Sequence, residues 1–209
     1  MKKFVTSDPH FNHNNIFGEN GFVPTRKHFK SKEEMNDTII NEINSVATGE
    51  DILYILGDIG FGSPKVLFEI LERIRPRIVI VGGNHDNNKF KKYIMNNNYE
   101  TPHGMRYEYH DVGFKEKRDG IVFYFSHFPM SIGNKRVNIR NICGHIHETE
   151  ARDWNVINIG IDSPEISEDI PFGRPLEVDV VMDLVNKKWE KNMKESLTEE
   201  EWIRYGGKR

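Results

Sequence analysis

Short apolar runs that stop abruptly at Gly, Asp or His recur along this 209-residue chain. They are Phe4 to Thr6, Ile52 to Leu56, Ile78 to Val81, Ile121 to Phe125, Ile139 to Cys143 and Val156 to Ile159. Runs of this length and composition read as buried strands that end at functional loops. Helix signals lie between some of them. Ser31 with Glu34 suggests a capping box, Met35, Ile39, Ile43 and Val46 recur at helical spacing, and Gly49 offers a stop. Ser63-Pro64 opens a second helix with Val66, Leu67, Ile70, Leu71 and Ile74 as its buried stripe and Pro76 closing it. Alternating strands and helices, then a mostly stranded stretch from Met105 to about Ile161, indicate an α/β protein.

The chain after Pro175 fits two periods. Leu176, Val178 and Val180 alternate as a strand does, while Leu176, Val180 and Leu184 suit a helix. We expect a domain over residues 1–186 and a charged C-terminal extension over 187–209. Thr198 followed by three glutamates would start a helix that docks or meets another subunit of a homo-oligomer.

Composition excludes several classes. Charge balance is 29 basic against 32 acidic residues, a formal net charge of −3, so the electrostatic drive for general polyanion binding is missing. One cysteine, Cys143, rules out an intramolecular disulfide framework, and its place at a strand end suggests core packing. The N-terminus has no signal-peptide core and no apolar run approaches the ~20 residues of a membrane span, so we expect a cytoplasmic protein that does not enter the membrane.

Nine histidines are the unusual count. Five of them fall in segments that follow apolar runs: Asp8-Pro9-His10, Gly82-Gly83-Asn84-His85-Asp86, Ser126-His127 and Gly144-His145-Ile146-His147, joined by Gly57-Asp58. In a parallel-rich sheet the loops after the carboxyl ends of strands gather on one edge, so these five segments can share a pocket. Each alone is ordinary, since Gly-Asp or Gly-Asn after a strand is a common turn. All five together point to metal. Imidazole and carboxylate without thiolate suit Mn, Fe, Zn, Ni or Co better than Ca or Mg. Two such ions about 3.5–4 Å apart need a shared anionic ligand and can clamp a phosphate while activating water.

This ordered set resembles the calcineurin-like metallophosphoesterases, whose pattern runs Asp-x-His, Gly-Asp, Gly-Asn-His-Asp/Glu, His and Gly-His-x-His. The match extends from Asp8 to His147. The resemblance implies a four-layer α/β/β/α sandwich of two mixed sheets flanked by helices, with a dinuclear site at the strand ends. It implies that Asp8, His10, Asp58 and His147 hold one ion, Mn foremost. Asp58 would bridge to a second held by Asn84, His127 and His145. His85 would act beside the leaving group as catalytic acid, with Asp86 as its orienting partner. Two departures narrow the subfamily: Gly57-Asp58-Ile59-Gly60-Phe61-Gly62 lacks the Asp-Arg-Gly stretch of protein phosphatases, and Asp86 stands where they carry Glu. The chain looks instead like the compact bacterial and phage phosphoesterases, notably from Asp8 to Ile16 and at Ser126-His127-Phe128-Pro129.

The expected activity is hydrolysis of a small or nucleotide-like phosphoester, as a phosphodiesterase or phosphatase, by in-line attack of a metal-bound hydroxide. Asn12, His13 and Arg140 are expected to line the substrate mouth. The alternative is a metal-dependent nuclease acting on nucleic acid, which the net charge does not favour. A non-catalytic scaffold of the same fold would be indicated by missing ligands, and none is missing.

Overall fold

The computed structural model describes residues 1–166 and 169–205. The first sheet is built from β1 (Lys3–Thr6), β2 (Ile52–Leu56) and β3 (Arg77–Val81), separated by the helices α1 (Lys32–Val46) and α2 (Pro64–Leu71). Helix α3 (Asn88–Asn96) and a small hairpin, β4 (Glu100–Thr101) with β5 (Gly104–Met105), lead to β6 (Tyr107–His110). Next come β7 (Gly113–Arg118), β8 (Ile121–Ser126), β9 (Ile139–Cys143), β10 (Val156–Asn158) and β11 (Leu176–Glu177), then α4 (Val178–Ser196) and α5 (Glu199–Arg204). One sheet has the order β11-β1-β2-β3-β6 and the other β10-β9-β8-β7. Both are mixed: only β11 in the first sheet and β7 in the second run antiparallel to their neighbours.

Side-chain alternation explains the layering. Phe4, Leu53, Ile55, Ile78 and Ile80 face α1, α2 and α3, while Val5, Tyr54, Leu56, Val79 and Val81 face Phe123, Phe125, Ile142 and Ile157 of the second sheet. Helix α4 packs on β1, β11, β9 and β10 and sends Val181, Met182 and Val185 into the same inter-sheet core. Two mixed sheets with helices are thus the architecture expected from the sequence.

Local chemistry sets the helix ends. Ser31 Oγ accepts the Glu34 N–H, but the Glu34 carboxylate reaches back to the Lys30 N–H, one residue before a full capping box. α2 stops at Leu71, short of Ile74, and Val66 is exposed, not part of the buried stripe. The ambiguous stretch resolves into both readings: two residues of strand, then helix. That helix runs straight through the expected division at 186/187, and its second half buries Trp189 and Met193 against Trp202 of α5. Residues of the expected extension, Trp189 and Met193 of α4 and Trp202 of α5, are thus packed together, and 206–209 lie outside the described residues.

Candidate metal centre

The chain segments leaving β1 and β2 stay hydrogen-bonded beyond the strands. Asp8 N–H donates to Gly57 O, His10 N–H to Asp58 O and Phe11 N–H to Ile59 O, at 3.2, 3.1 and 2.9 Å. This irregular pairing lays Asp8 and His10 beside Asp58. In the second sheet, Gly144 N–H donates to His127 O at 3.0 Å and brings the end of β8 to the end of β9. The carboxyl edges of both sheets therefore meet at one place, as the sequence order of the motifs required.

The backbone there is forced. Asp8, His10, Asn12, Asp58, His145 and His147 all have positive φ, between 43° and 73°. Non-glycine residues pay for this conformation, and its concentration at one edge marks a functional site. The neighbouring glycines are needed for close approach: a Cβ on Gly144 would lie 1.9 Å from Ser7 Oγ and 2.2 Å from Asp8 Oδ2, and one on Gly57 2.4 Å from His127 Nδ1.

Two groups of metal-competent side chains result, Asp8 with His10 and His147, and Asp58 with His127 and His145. Within each the ligand atoms lie inside 4.8 Å of one another. Asp58 Oδ2 stands between the groups, 3.6 Å from His10 Nε2 and 3.5 Å from His127 Nε2. His10 is 3% exposed, and neither of its ring nitrogens has a hydrogen-bond partner. Burial, reinforced by Arg26 and the neighbouring histidines, lowers its pKa to about 2, so the ring is neutral and offers a lone pair. His127 Nδ1–H donates to Leu56 O at 2.8 Å, which fixes the tautomer and leaves the Nε2 lone pair 2.8 Å from Asn84 Oδ1. Two acceptors so placed, beside a carboxylate, form a donor set that fits a divalent cation. Burial raises the pKa of Asp8, opposed by His127, the Ser7 hydroxyl and the His145 N–H.

His85 lies on the rim. Its main-chain N–H donates to Asp58 Oδ1 at 2.9 Å while its exposed ring leans on Phe61, centroids 4.9 Å apart. His13 meets Phe61 edge-on at 4.1 Å, its Nδ1 accepting the Asn15 N–H, and Phe22, 62% exposed, continues the aromatic wall. On the other side Phe128 packs on His145 at 4.6 Å.

Three expectations change. Asp86 does not orient His85: its two oxygens accept the Ile59 and Gly83 N–H groups at 3.0 and 2.9 Å, bracing the loops after β2 and β3 against each other. Asn12 donates its side-chain N–H to Phe61 O at 2.7 Å, so its amide supports the wall. Arg140 is away from the mouth. It sits near the start of β9, is 1% exposed, stacks over Trp189 at 4.3 Å and donates to the carbonyls of Arg136, Val137 and Ile139. Charge and proximity in sequence to the last motif suggested it; the direction of the strand excludes it, because the candidate ligands gather at the opposite end.

Arg26 and Asp162 were not anticipated. Their side chains form a buried ion pair, 2.7 Å between Arg26 Nη2 and Asp162 Oδ2, directly behind His147. Asp162 had a signal: it follows the Val156 to Ile159 run as Asp8 and Asp58 follow theirs. Arg26, in a short 3-10 turn, had none.

The family model for calcineurin-like phosphoesterases matches residues 1–202. The uncharacterized protein MJ1445 of Methanocaldococcus jannaschii is 29% identical over 188 residues, 89% of this chain and 92% of that protein. The crystal structure of AQ665, a protein of unknown function from Aquifex aeolicus, superposes with a TM-score of 0.59 at 22% identity, covering 88% of this chain and 98% of that one, which shows a shared fold.

Proposed function

Because the chain belongs to the calcineurin-like phosphoesterase family, we propose that it hydrolyses a small or nucleotide-like phosphoester, as a phosphodiesterase or phosphatase, using two divalent cations. Asp8, His10, Asp58 and His147 would hold one ion and Asn84, His127 and His145 the other, with Asp58 shared between the groups and Mn the favoured metal. The observation that carries this reading is His10, a neutral imidazole with both nitrogens buried and unpartnered beside two other candidate ligands. Such a group is costly unless something binds it. Bound there, two cations would lower the pKa of water and neutralise phosphoryl charge.

The chain's own residues supply the rest. His85, anchored through its main chain to Asp58, can donate an imidazole N–H to a phosphoryl oxygen or to the leaving oxygen. Asp86 holds the turn that carries it. Phe22, His13 and Phe61 on one side and Phe128 on the other offer flat surfaces to a base or aryl group, which supports a nucleotide-like ester. The same surfaces suit a single strand, so a nuclease is the second reading.

The test is hydrolysis by the Mn-loaded protein of a bis-aryl phosphodiester and an aryl monoester, followed by single-stranded DNA, RNA and cyclic nucleotides. Diester cleavage outpacing monoester cleavage is expected. A loaded protein inactive on all of them overturns the reading, and cleavage confined to DNA or RNA favours the nuclease.

A further inference from the structure

We infer that the buried Arg26–Asp162 pair is a positioning device for one of the two metal groups, that of Asp8, His10 and His147; the inference rests on reading that group as a metal site. Both side chains of the pair are 0% exposed. A buried charge pair is retained at a cost in desolvation, so what it touches matters.

Besides the Met35 sulfur and the Phe172 ring that Arg26 packs against, the pair's polar contacts lead toward the same three residues. Arg26 Nη2 donates to Asp8 O at 2.7 Å and Nη1 to Pro9 O at 2.9 Å, holding the two carbonyls between Asp8 and His10. Those are the residues whose φ angles are +58° and +47°, so the guanidinium clamps a backbone that would otherwise relax. Its Nε and Nη2 donate to the Asp162 carboxylate at 3.0 to 3.1 Å and 2.7 Å, a fork that fixes the carboxylate plane. Thr25 Oγ1 donates to the same carboxylate. With its carboxylate held by Arg26 on both oxygens and by Thr25 on Oδ1, Asp162 stands with Oδ2 3.4 Å from His147 Nδ1. A carboxylate at that nitrogen keeps the proton on Nδ1 and turns Nε2 to the cation. Arg26 thus sets the loop after β1, Asp162 sets the imidazole, and the ion pair ties the two across 136 residues of sequence.

The Asp58, His127 and His145 group is braced differently, by Leu56 O on His127 and by Asp86 on the Gly83 and Ile59 amides. The pair therefore serves one ion and not the other. A carboxylate behind a ligating histidine typically accounts for about 10–100-fold in metal affinity.

The experiment is Mn uptake by equilibrium dialysis, with Co spectra as a second readout, on the whole protein and two variants. Wild type should bind two ions; if it binds none, the metal reading itself fails and takes this inference with it. Asp162→Asn should bind one ion about 10–100-fold more weakly and leave the other within twofold. Asp162→Asn leaves Arg26 buried without its anion, so the double variant Arg26→Met with Asp162→Leu removes both charges at similar volume, a change that preserves folding in other buried pairs. Folded by circular dichroism, it should still lose one ion selectively. A folded double variant that binds both ions as wild type does shows that the pair only fills space, and overturns the inference. Equal weakening of both ions overturns it as well.

Discussion

His85 gathers the chemistry at the level of single residues. Its ring is exposed and its backbone is fixed, so removing the ring should leave the ligand cage standing. We expect His85→Ala to lower turnover by about 10²–10⁴-fold, the usual worth of a positioned acid or base, with metal content by mass spectrometry unchanged. Wild-type turnover in that variant would remove His85 from the mechanism. Asp86 gives a pH signature of defined sign. Burial pushes its pKa up to about 6, with Asp58 adding to the rise, although the Gly83 and Ile59 amides and His127 oppose it. The unfolded value is about 3.9, so the folded state holds this proton more tightly. Its stabilising effect is complete below about pH 4 and fades as pH rises through about 6. In metal-free protein, Asp86→Asn should flatten the decline of urea stability between those two pH values. It should also cost about 1–3 kcal/mol, because a side-chain NH2 cannot accept the second amide. An unchanged slope would show that Asp86 is not the group titrating there.

Among the elements, α4 is the one whose role the sequence concealed. Its residues satisfy a strand period and a helix period at once, and a boundary drawn at its change from apolar to charged composition falls in mid-helix. Charged residues there are compatible with packing because the helix turns Trp189 and Met193 inward every four residues while its lysines face out or, in Lys188, reach the carbonyls of Ala151 and Val156. A chain ending at residue 186 loses both buried side chains, the Lys188 contacts and the ring that covers Arg140. At about 1.5–3 kcal/mol per large apolar side chain, that is a sizeable part of a typical total of about 5–15 kcal/mol. Thermal unfolding of this truncation should shift down by at least ten degrees or lose cooperativity; a melting curve matching the full chain would show that α4 ends functionally at 186. By contrast, α1 was legible to its first residue, because capping is a matter of four consecutive positions: Ser31 meets the Glu34 amide as its spacing requires.

For the molecule as a whole, the site is where the two sheets are held together at their carboxyl edges, with buried carboxylates Asp8 and Asp58 in the seam. Divalent cations that bind only the folded form should therefore stabilise it. A hundredfold excess of Mn over its dissociation constant should add about 2.7 kcal/mol per bound ion, seen as a rise in melting temperature that EDTA reverses; a melting temperature indifferent to Mn would argue against binding in the seam. The sequence alone determined six of the strands, the first helices, the family and the candidate metal-competent residues. These are written in local patterns: apolar runs, caps, and glycines that permit a close approach to the neighbouring ligand. The tertiary structure alone decided which polar residues serve the site from behind. Arg26 and Asp162 are 136 positions apart, Asp86 spends its oxygens on amides of two different loops, and Arg140 lies at the wrong end of its strand. Periodicity and propensity act over a few residues, whereas the partner of a buried charge is chosen by which segments packing brings together. No local pattern encodes that choice.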